Sequence, residues 1–420
     1  MNYVHGGDVY RRAVDLDYSV NINPLGMPLR ACRAAKHGVD QSIAYPDWKV
    51  EKLRDAVVSF LDRKFASIAP EWITFGNGAA DLIYRLMQVL RPQQVIVAAP
   101  AFAEYSIAAE RVGAQIIPVY LQEEEDFSFT PSVEAAFIRA IEAAPSGSAV
   151  FLCNPNNPDG NVIRAEVLQR IAAVCESKNS WLIVDECFLP FLRSDDSSNT
   201  AAARIFDAEY TLRPSERTCS MVPSLRAFEH LVILRAFTKI YGMPGLRLGY
   251  MLTAAQALTD AVRATMTPWE INLPAQLAGV AALEETEFVE KTRALIREER
   301  TFLVRVLPTL PYVEKVYVPT SDANFLLFRT AWNEPSTQDV REDKTARTQR
   351  SNDSHDASER GPESEPLGEL YRVDLKDLLL EKGVLIRACG NYEGLDERYY
   401  RICVRTHEEN LELIRRWRSL

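Results

Sequence analysis

Short apolar runs and amphipathic stretches alternate along the chain from about residue 70 to residue 250. Runs of Val, Ile and Leu are typical of buried strands, and apolar residues that recur every three or four positions are typical of helices. The pattern predicts helices over 79–90 and 164–177. This strand–helix order predicts an α/β fold with a mainly parallel sheet that helices cover on both faces. The predicted strands are 95–100, 114–120, 149–155, 181–186 and 231–237.

The pattern changes after Tyr250. Residues 272–307 form one long helical pattern that ends near Pro308, and strand patterns follow at 323–330, 384–390 and 399–405. Helices and strands that are not in strict alternation are typical of an α+β unit. We therefore predict an N-terminal arm over 1–44, a large domain over 45–265 and a smaller C-terminal domain over 266–420.

Two polar stretches interrupt these domains. Residues 331–368 are almost free of aliphatic side chains and rich in Ser, Asp, Glu, Arg and Pro. Such a segment buries too little apolar area to offset the entropy cost of ordering, so we predict a disordered insertion there. A second polar stretch, 194–220, is predicted to be a surface insertion of the large domain.

Composition and charge narrow the classes of function. The 420-residue chain has a net charge of −10 and no long basic run, which argues against nucleic acid as its partner. No apolar run approaches the roughly 18 residues of a membrane helix. Seven scattered cysteines and five histidines without metal-binding spacing favour reduced thiols and no metal. Since the start also lacks a targeting pattern, we expect a cytoplasmic, metal-free protein.

Polar segments follow the predicted strands. Because ligands of parallel α/β sheets bind at the carboxyl ends of the strands, these segments are expected to meet at one edge of the sheet. The segments are "AFAEY" (101–105), "NPNNPDG" (154–160), "DECF" (185–188) and "TK" (238–239).

Lys239 and Asp185 each follow an apolar strand. Lys239 is either a strand-end lysine whose amine reaches water or a partly desolvated amine that acts as a nucleophile. Asp185 either caps a helix or pairs with a buried cation. The protonated ring nitrogen of pyridoxal phosphate is such a cation, and its protonation lets the ring accept electrons from a carbanion.

The remaining segments suit the other parts of the same cofactor. Asn157 lies in what is otherwise a proline-rich turn, and its amide can donate to the phenolic oxygen of the ring. "FGNGAADLI" (75–83) places small residues before a helix, where backbone N–H groups bind phosphate. The third glycine of GxGxxG is missing, which argues against a nicotinamide cofactor. Phe102 is either a core aromatic or a residue that stacks on the ring.

The ordered set of residues resembles the fold-type I pyridoxal-phosphate enzymes of the aspartate aminotransferase superfamily. The resemblance implies a seven-stranded, mainly parallel sheet between helices. It also implies that Lys239 bonds covalently to the cofactor and that Asp185 meets its ring nitrogen. The other cofactor contacts that it implies are Asn157 at the phenolic oxygen, Phe102 on the ring, and Gly78, Ala79, Thr238 and Arg247 at the phosphate.

Two positions depart from the family pattern. Many relatives have a tyrosine three residues after the aspartate, where this chain has Phe188, and often a serine three residues before the lysine, where it has Ala236. The first change is expected to alter the pKa of the lysine–cofactor linkage. The second is expected to weaken phosphate binding by about 1 kcal/mol, the contribution of one hydrogen bond.

Within the superfamily, several motifs resemble the threonine-phosphate decarboxylase family of cobalamin biosynthesis. They are "HGG" (5–7), "NINPLGMP" (21–28), "AYPD" (44–47) and "IRACGNYEGL" (386–395). The resemblance implies decarboxylation of O-phosphothreonine or O-phosphoserine. A histidinol-phosphate aminotransferase is the alternative enzyme, and a non-catalytic binding or regulatory protein of the same fold is the alternative of another class.

Arg387 and Arg401 lie on two neighbouring strand patterns. Each is either a surface ion-pair residue or part of a cationic pocket for a phosphate group. The resemblance implies the second role, and it implies that Tyr45 touches the cofactor phosphate of a neighbouring subunit in a homodimer. The substrate contacts that it implies are His5, Gly6, Asn21, Asn157, Arg387 and Arg401.

Overall fold

The described residues form a large seven-stranded sheet, a smaller four-stranded sheet and a short two-stranded sheet made of Leu16–Asp17 and Val384–Leu385. The computed structural model describes residues 5–65, 67–193, 214–331 and 374–420. The strands are β1 (Leu16–Asp17), β2 (Ile73–Gly76), β3 (Gln94–Ala99), β4 (Gln115–Tyr120), β5 (Ala149–Cys153), β6 (Trp181–Asp185), β7 (Leu231–Ala236), β8 (Gly249–Leu252), β9 (Val313–Tyr317), β10 (Phe325–Thr330), β11 (Val384–Leu385), β12 (Arg387–Ala388) and β13 (Tyr399–Cys403).

Helices surround these sheets. They are α1 (Leu29–Asp40), α2 (Glu51–Lys64), α3 (Ala79–Leu90), α4 (Glu104–Arg111), α5 (Pro131–Ala143), α6 (Ala165–Ser177), α7 (Glu216–Cys219), α8 (Gln256–Ala264), α9 (Leu273–Leu283), α10 (Thr286–Val306), α11 (Leu375–Glu381) and α12 (His407–Trp417). In the described ranges, none of the helices has the length and apolar character needed to cross a membrane.

The larger sheet has seven strands in the order β2-β8-β7-β6-β5-β3-β4. The pairs among β3 to β7 are parallel, and β8 runs antiparallel to both of its neighbours. The central strands β5 to β7 are almost wholly buried, which explains their continuous Val, Ile and Leu runs. The predicted α/β fold with a mainly parallel sheet is confirmed.

The smaller sheet is antiparallel, in the order β12-β13-β10-β9. The single strand predicted over 384–390 is divided in the structure, because β11 pairs with β1 while β12 pairs with β13. Because β12 closely follows β11 in the chain, these two pairings connect the N-terminal segment to the smaller sheet.

The helical pattern over 272–307 also divides. It forms α9 and α10, with Glu284 and Glu285 between them. Helix α9 is apolar around most of its surface and packs against α1 and α2, so residues 29–40 of the predicted N-terminal arm form a packed helix. The domain limits themselves remain a prediction.

The end of the second polar stretch is buried rather than exposed. Residues 194–213 lie outside the described residues, as does nearly all of the predicted insertion 331–368. Residues 215, 216, 219 and 220 are buried, and Glu216 lies among Lys64, Arg235 and Arg293. These ion pairs explain why a polar segment is buried here, contrary to the predicted surface position: its carboxylate neutralises charges that are also buried.

Glu216 provides a test of this buried ion-pair cluster. Burial alone would raise the pKa of Glu216, but Lys64, Arg235 and Arg293 together lower it to about 2. We expect Glu216→Gln to lower the free energy of unfolding by about 3–5 kcal/mol, because it leaves two buried arginines with less compensation.

Denaturant unfolding followed by circular dichroism measures this effect. Glu134→Gln is the matched control, since the Glu134–Arg170 pair is much more exposed on its arginine side. That variant is expected to change stability by no more than about 1 kcal/mol. Equal effects of the two changes would contradict the role given to Glu216.

Candidate active site

A cavity of about 180 Å³ lies at the carboxyl edge of the large sheet. It is lined by residues from the ends of several strands and from the start of α3. Phe188 and Ala236, the two departures from the family pattern, also line it. The cofactor residues implied by the sequence that the structure brings together here are Gly78, Ala79, Phe102, Asn157, Asp185, Thr238, Lys239 and Arg247.

Strand direction explains why these residues meet. Asp185 ends β6 beside Cys153, the last residue of β5, so that the segment carrying Asn157 leaves the sheet next to it. Arg247 precedes β8, whose first residue, Gly249, pairs with Gly76 and Ala236. Because β8 is antiparallel, its amino end lies at the edge where its parallel neighbours end.

Lys239 is partly buried in this cavity. Its amine lies 5.4 Å from the centre of the Phe188 ring. Burial lowers the pKa of Lys239, and the positive charge of Arg401 lowers it further. A lowered pKa increases the fraction of neutral amine, which is the form that attacks a carbonyl carbon.

Asp185 is buried and held by one donor at each carboxylate oxygen. The hydroxyl of Tyr105 donates to Oδ2 at 2.8 Å, and the backbone N–H of Cys187 donates to Oδ1 at 2.9 Å. Tyr105 is not among the site residues predicted from the sequence. The spacing in the sequence could have indicated it, because Tyr105 lies three residues after Phe102, which is about one helical turn.

The start of α3 forms a cup suited to an anion. Gly78 has φ +87° and precedes the helix without a side-chain cap, so that the first N–H groups of the helix remain available to a ligand. A Cβ atom on Gly78 would lie 2.8 Å from Nη2 of Arg247, and one on Gly249 would lie 2.6 Å from the backbone nitrogen of Ala79. Side chains at these glycines would therefore fill the cup.

Arg401 is buried between the cavity and the N-terminal segment. Its Nη1 donates to Oδ1 of Asn157, and its Nη2 donates to the backbone oxygen of Ser19 at 2.8 Å. Its Nε has no hydrogen-bond partner in the described part of the chain. A buried guanidinium N–H without an acceptor favours an anionic ligand at this position.

Arg387 lies directly opposite Arg401 in the β12–β13 pair. Its two terminal nitrogens donate at 2.7 Å to the backbone oxygen of Ala388 and to Oδ1 of Asn391. Like charges that face each other across two strands destabilise a sheet. The arrangement therefore favours an anion that both guanidinium groups can bind.

His5 and Gly6 lie outside the cavity lining, in the N-terminal segment, and His5 is next to Phe102, which lines the cavity. Nε2 of His5 lies 2.5 Å from a carboxylate oxygen of Glu104, and its ring lies 5.8 Å from the ring of Phe102. Gly6 lies so close to Ser19 that a Cβ atom added to Gly6 would lie 2.5 Å from the backbone oxygen of Ser19. Glu104, which the sequence analysis did not single out, thus connects the N-terminal segment to α4.

Asn21 and Tyr45, like the predicted substrate residues His5, Gly6, Arg387 and Arg401, lie outside the cavity lining. Asn21 is buried, and its Oδ1 has no partner among the residues that the structure describes. Tyr45 is 77% exposed and stacks on Trp269 at 4.3 Å between ring centres. Within one chain, Tyr45 therefore faces outward.

Gly78→Ala tests the anion cup. The methyl group would displace the Arg247 guanidinium, so we expect the affinity for pyridoxal phosphate, the expected cofactor, to fall about tenfold, as for the loss of a hydrogen bond to a charged group. Fluorescence titration of cofactor-free protein measures this affinity. Gly147→Ala is the matched control, because Gly147 has a similar φ of +80° but no atom within 4 Å of the added Cβ. Equal losses in both variants would contradict the cup.

Arg401→Gln tests the electrostatic environment of Lys239. Removing the positive charge is expected to raise the pKa of Lys239, so that covalent attachment of pyridoxal phosphate requires a higher pH. Borohydride trapping of the attached cofactor across a pH series measures the midpoint. Arg405→Gln, which removes a charge paired with Glu409, is the control and should leave the midpoint unchanged. An unchanged midpoint in Arg401→Gln would show that Arg401 does not influence the amine.

Known proteins are similar to this chain over nearly its whole length. Threonine-phosphate decarboxylase from Salmonella typhimurium is 31% identical, with 100% of this chain and 97% of that protein aligned. Histidinol-phosphate aminotransferase from Symbiobacterium thermophilum is also 31% identical, over 94% of this chain and 87% of its own. The crystal structure of histidinol-phosphate aminotransferase from Clostridium acetobutylicum superposes with a TM-score of 0.71 at 25% identity, covering 96% of this chain and 98% of that one.

The family model for aminotransferase class I and II matches residues 14–416. The match includes all strands of the described sheets and all residues that line the cavity. Because the family model covers nearly the entire chain and the Salmonella relative aligns with 100% of this chain, this protein belongs to the aminotransferase class I and II family, the fold-type I enzymes that use pyridoxal 5′-phosphate.

Proposed function

We propose that this protein decarboxylates a phosphorylated amino acid, L-threonine O-3-phosphate, to (R)-1-amino-2-propanol O-phosphate for cobamide synthesis. The observation that carries the proposal is the pair of arginines, Arg387 and Arg401, which are directly opposite each other, with Arg401 hydrogen-bonded to the cavity residue Asn157. O-Phosphoserine, which lacks one methyl group, would give ethanolamine phosphate by the same reaction. The Salmonella relative, a threonine-phosphate decarboxylase, supports the substrate class.

The residues of the cavity fit the family cofactor. The cup at Gly78 has no room for a side chain, and Arg247 lies against it, as a phosphate group requires. Asn157 uses its amide oxygen to accept from Arg401, so its amide nitrogen remains as a donor for the phenolic oxygen of the ring. Asp185 offers a fixed carboxylate to the ring nitrogen. Bound pyridoxal phosphate supplies an electron sink for a carbanion at the substrate's α-carbon.

The two arginines determine which substrate group is held. Guanidinium groups bind phosphate oxygens through paired donors, and Arg401 has an Nε without a partner in the described chain. In an ordinary aminotransferase, the arginine of the small domain holds the α-carboxylate near the plane of the ring. If Arg387 and Arg401 hold the phosphate instead, the carboxylate is free to turn out of that plane and leave as CO₂. Binding the phosphate in this way would accelerate decarboxylation by orienting the substrate and by stabilising the charge that develops in the transition state.

Lys239 moves the proton at the α-carbon. Its pKa is lowered by burial and by Arg401, so the neutral amine is available for attachment of the cofactor. After taking up the proton that the substrate's ammonium group loses, the same amine would deliver that proton to the carbon from which CO₂ has left. Phe188, 5.4 Å from the amine, forms an apolar wall there.

We also infer a cytoplasmic homodimer in which Tyr45 contacts the cofactor phosphate of the neighbouring subunit. Ile43, Tyr45 and Trp48 are 99%, 77% and 68% exposed, which is unusual for clustered large apolar side chains. A cavity of about 670 Å³, lined by Trp48, Trp269 and Glu270, lies beside them. Glu270 also accepts a hydrogen bond from Asn77, next to the phosphate cup, so a second copy bound here would lie close to that cup.

Histidinol-phosphate transamination is the second candidate function, because a relative with that activity is equally identical in sequence. Its substrate also carries a phosphate group that two arginines can bind. The two activities differ in the bond that breaks, at the carboxylate or at the α-hydrogen, and in the need for an amino-group acceptor.

A substrate comparison separates the two functions. Purified protein loaded with pyridoxal phosphate is incubated with O-phosphothreonine, O-phosphoserine or histidinol phosphate, with and without 2-oxoglutarate. We expect CO₂ release from O-phosphothreonine without 2-oxoglutarate, and none from the Lys239→Ala control. Glutamate formation from histidinol phosphate, with no CO₂ from either phosphorylated amino acid, would overturn the decarboxylase proposal in favour of the aminotransferase. Inactivity towards all three substrates would favour a non-catalytic protein.

A further inference from the structure

Tyr105 contacts Asp185 and Phe102, two of the residues that are expected to touch the cofactor ring. It lies in the first turn of α4 and is 1% exposed. Its hydroxyl donates to Oδ2 of Asp185 at 2.8 Å, and its ring meets Phe102 edge-on at 5.6 Å and 83°. On its other side, the ring stacks on Phe151 of β5 at 4.8 Å and 11°. The tyrosine therefore has little freedom to turn away from either residue.

The hydroxyl of Tyr105 is a permanent donor. Burial raises the pKa of Tyr105 well above its usual value, and the negative charge of Asp185 raises it further. The hydroxyl therefore stays protonated at any working pH. A hydrogen bond that is donated to a carboxylate stabilises its charged form. The second donor to Asp185 is a backbone N–H, from Cys187, which a side-chain substitution cannot remove.

We infer that Tyr105 is a positioning residue for the cofactor, which acts through Asp185. It holds the carboxylate oriented towards the ring nitrogen, and it supports Phe102 at the ring face. The inference rests on the proposed contact between Asp185 and that nitrogen. Since a hydrogen bond to a charged acceptor is strong, its loss should be visible in cofactor affinity and not only in protein stability.

A double-mutant cycle tests this inference. Cofactor-free wild type, Tyr105→Phe, Asp185→Asn and the double variant are titrated with pyridoxal phosphate, and Kd is measured by fluorescence quenching. We expect Tyr105→Phe to raise Kd about tenfold, and to change the pH at which the visible absorption of the loaded protein shifts. Because the tyrosine acts through the aspartate, the same change should have little effect in the Asp185→Asn background.

Tyr400→Phe is the matched control. Tyr400 is also buried, and its hydroxyl donates to a carboxylate oxygen of Asp374 at 3.0 Å, but it does not line the cavity. Both variants lose one tyrosine–carboxylate hydrogen bond, so both are expected to have a lower thermal midpoint. Only Tyr105→Phe should lose cofactor affinity.

Three results would overturn the inference, and they identify different errors. An unchanged Kd in Tyr105→Phe, with a clear loss in Asp185→Asn, would restrict Tyr105 to a structural role and leave the contact of Asp185 intact. Equal losses from Tyr105→Phe in both backgrounds would show that it acts independently of Asp185. An unchanged Kd in Asp185→Asn would overturn the contact of Asp185 as well.

Discussion

The direction of the strands in the large sheet is the constraint on which the site depends. Strands β5, β6 and β7 are parallel, so that their carboxyl ends meet at one edge, and the antiparallel β8 begins at that same edge. This places Asp185, Lys239 and Arg247 around one cavity, although the first and the last are 62 positions apart in the chain. Because the strands are buried on both faces, polar side chains are confined to their ends.

Consecutive side chains point to different sides of the backbone, and this keeps two sets of charged residues apart. Asp185 and Glu186 are consecutive, and their side chains take different partners: Asp185 faces the cavity, while Glu186 pairs with the buried Arg235. Arg235 also pairs with Glu216, which in turn pairs with Arg293 of α10. An unpaired buried charge would be strongly destabilising. Since these charges are paired with one another, the amine of Lys239 is influenced mainly by burial and by Arg401.

Features that depend on neighbouring residues in the sequence were predictable, and features that depend on distant partners were not. The apolar runs located β3 to β7 to within two residues, because burial between helices requires such runs. The predicted strand over 384–390 is divided because β1, far away in the chain, pairs with its first part. The end of the polar stretch 194–220 is buried because Glu216 finds cations on three other elements. Polar composition alone does not reveal such partners.

The same distinction holds for the site. The sequence by itself determined the fold class and the residues at the strand ends, since local order places Asn157, Asp185 and Lys239 directly after apolar strands. Only the tertiary structure decided that Arg387 faces Arg401, and that Tyr105 holds Asp185. The physical reason is that register between strands and side-chain hydrogen bonds join residues far apart in the chain, and their geometry exists only once the chain has packed.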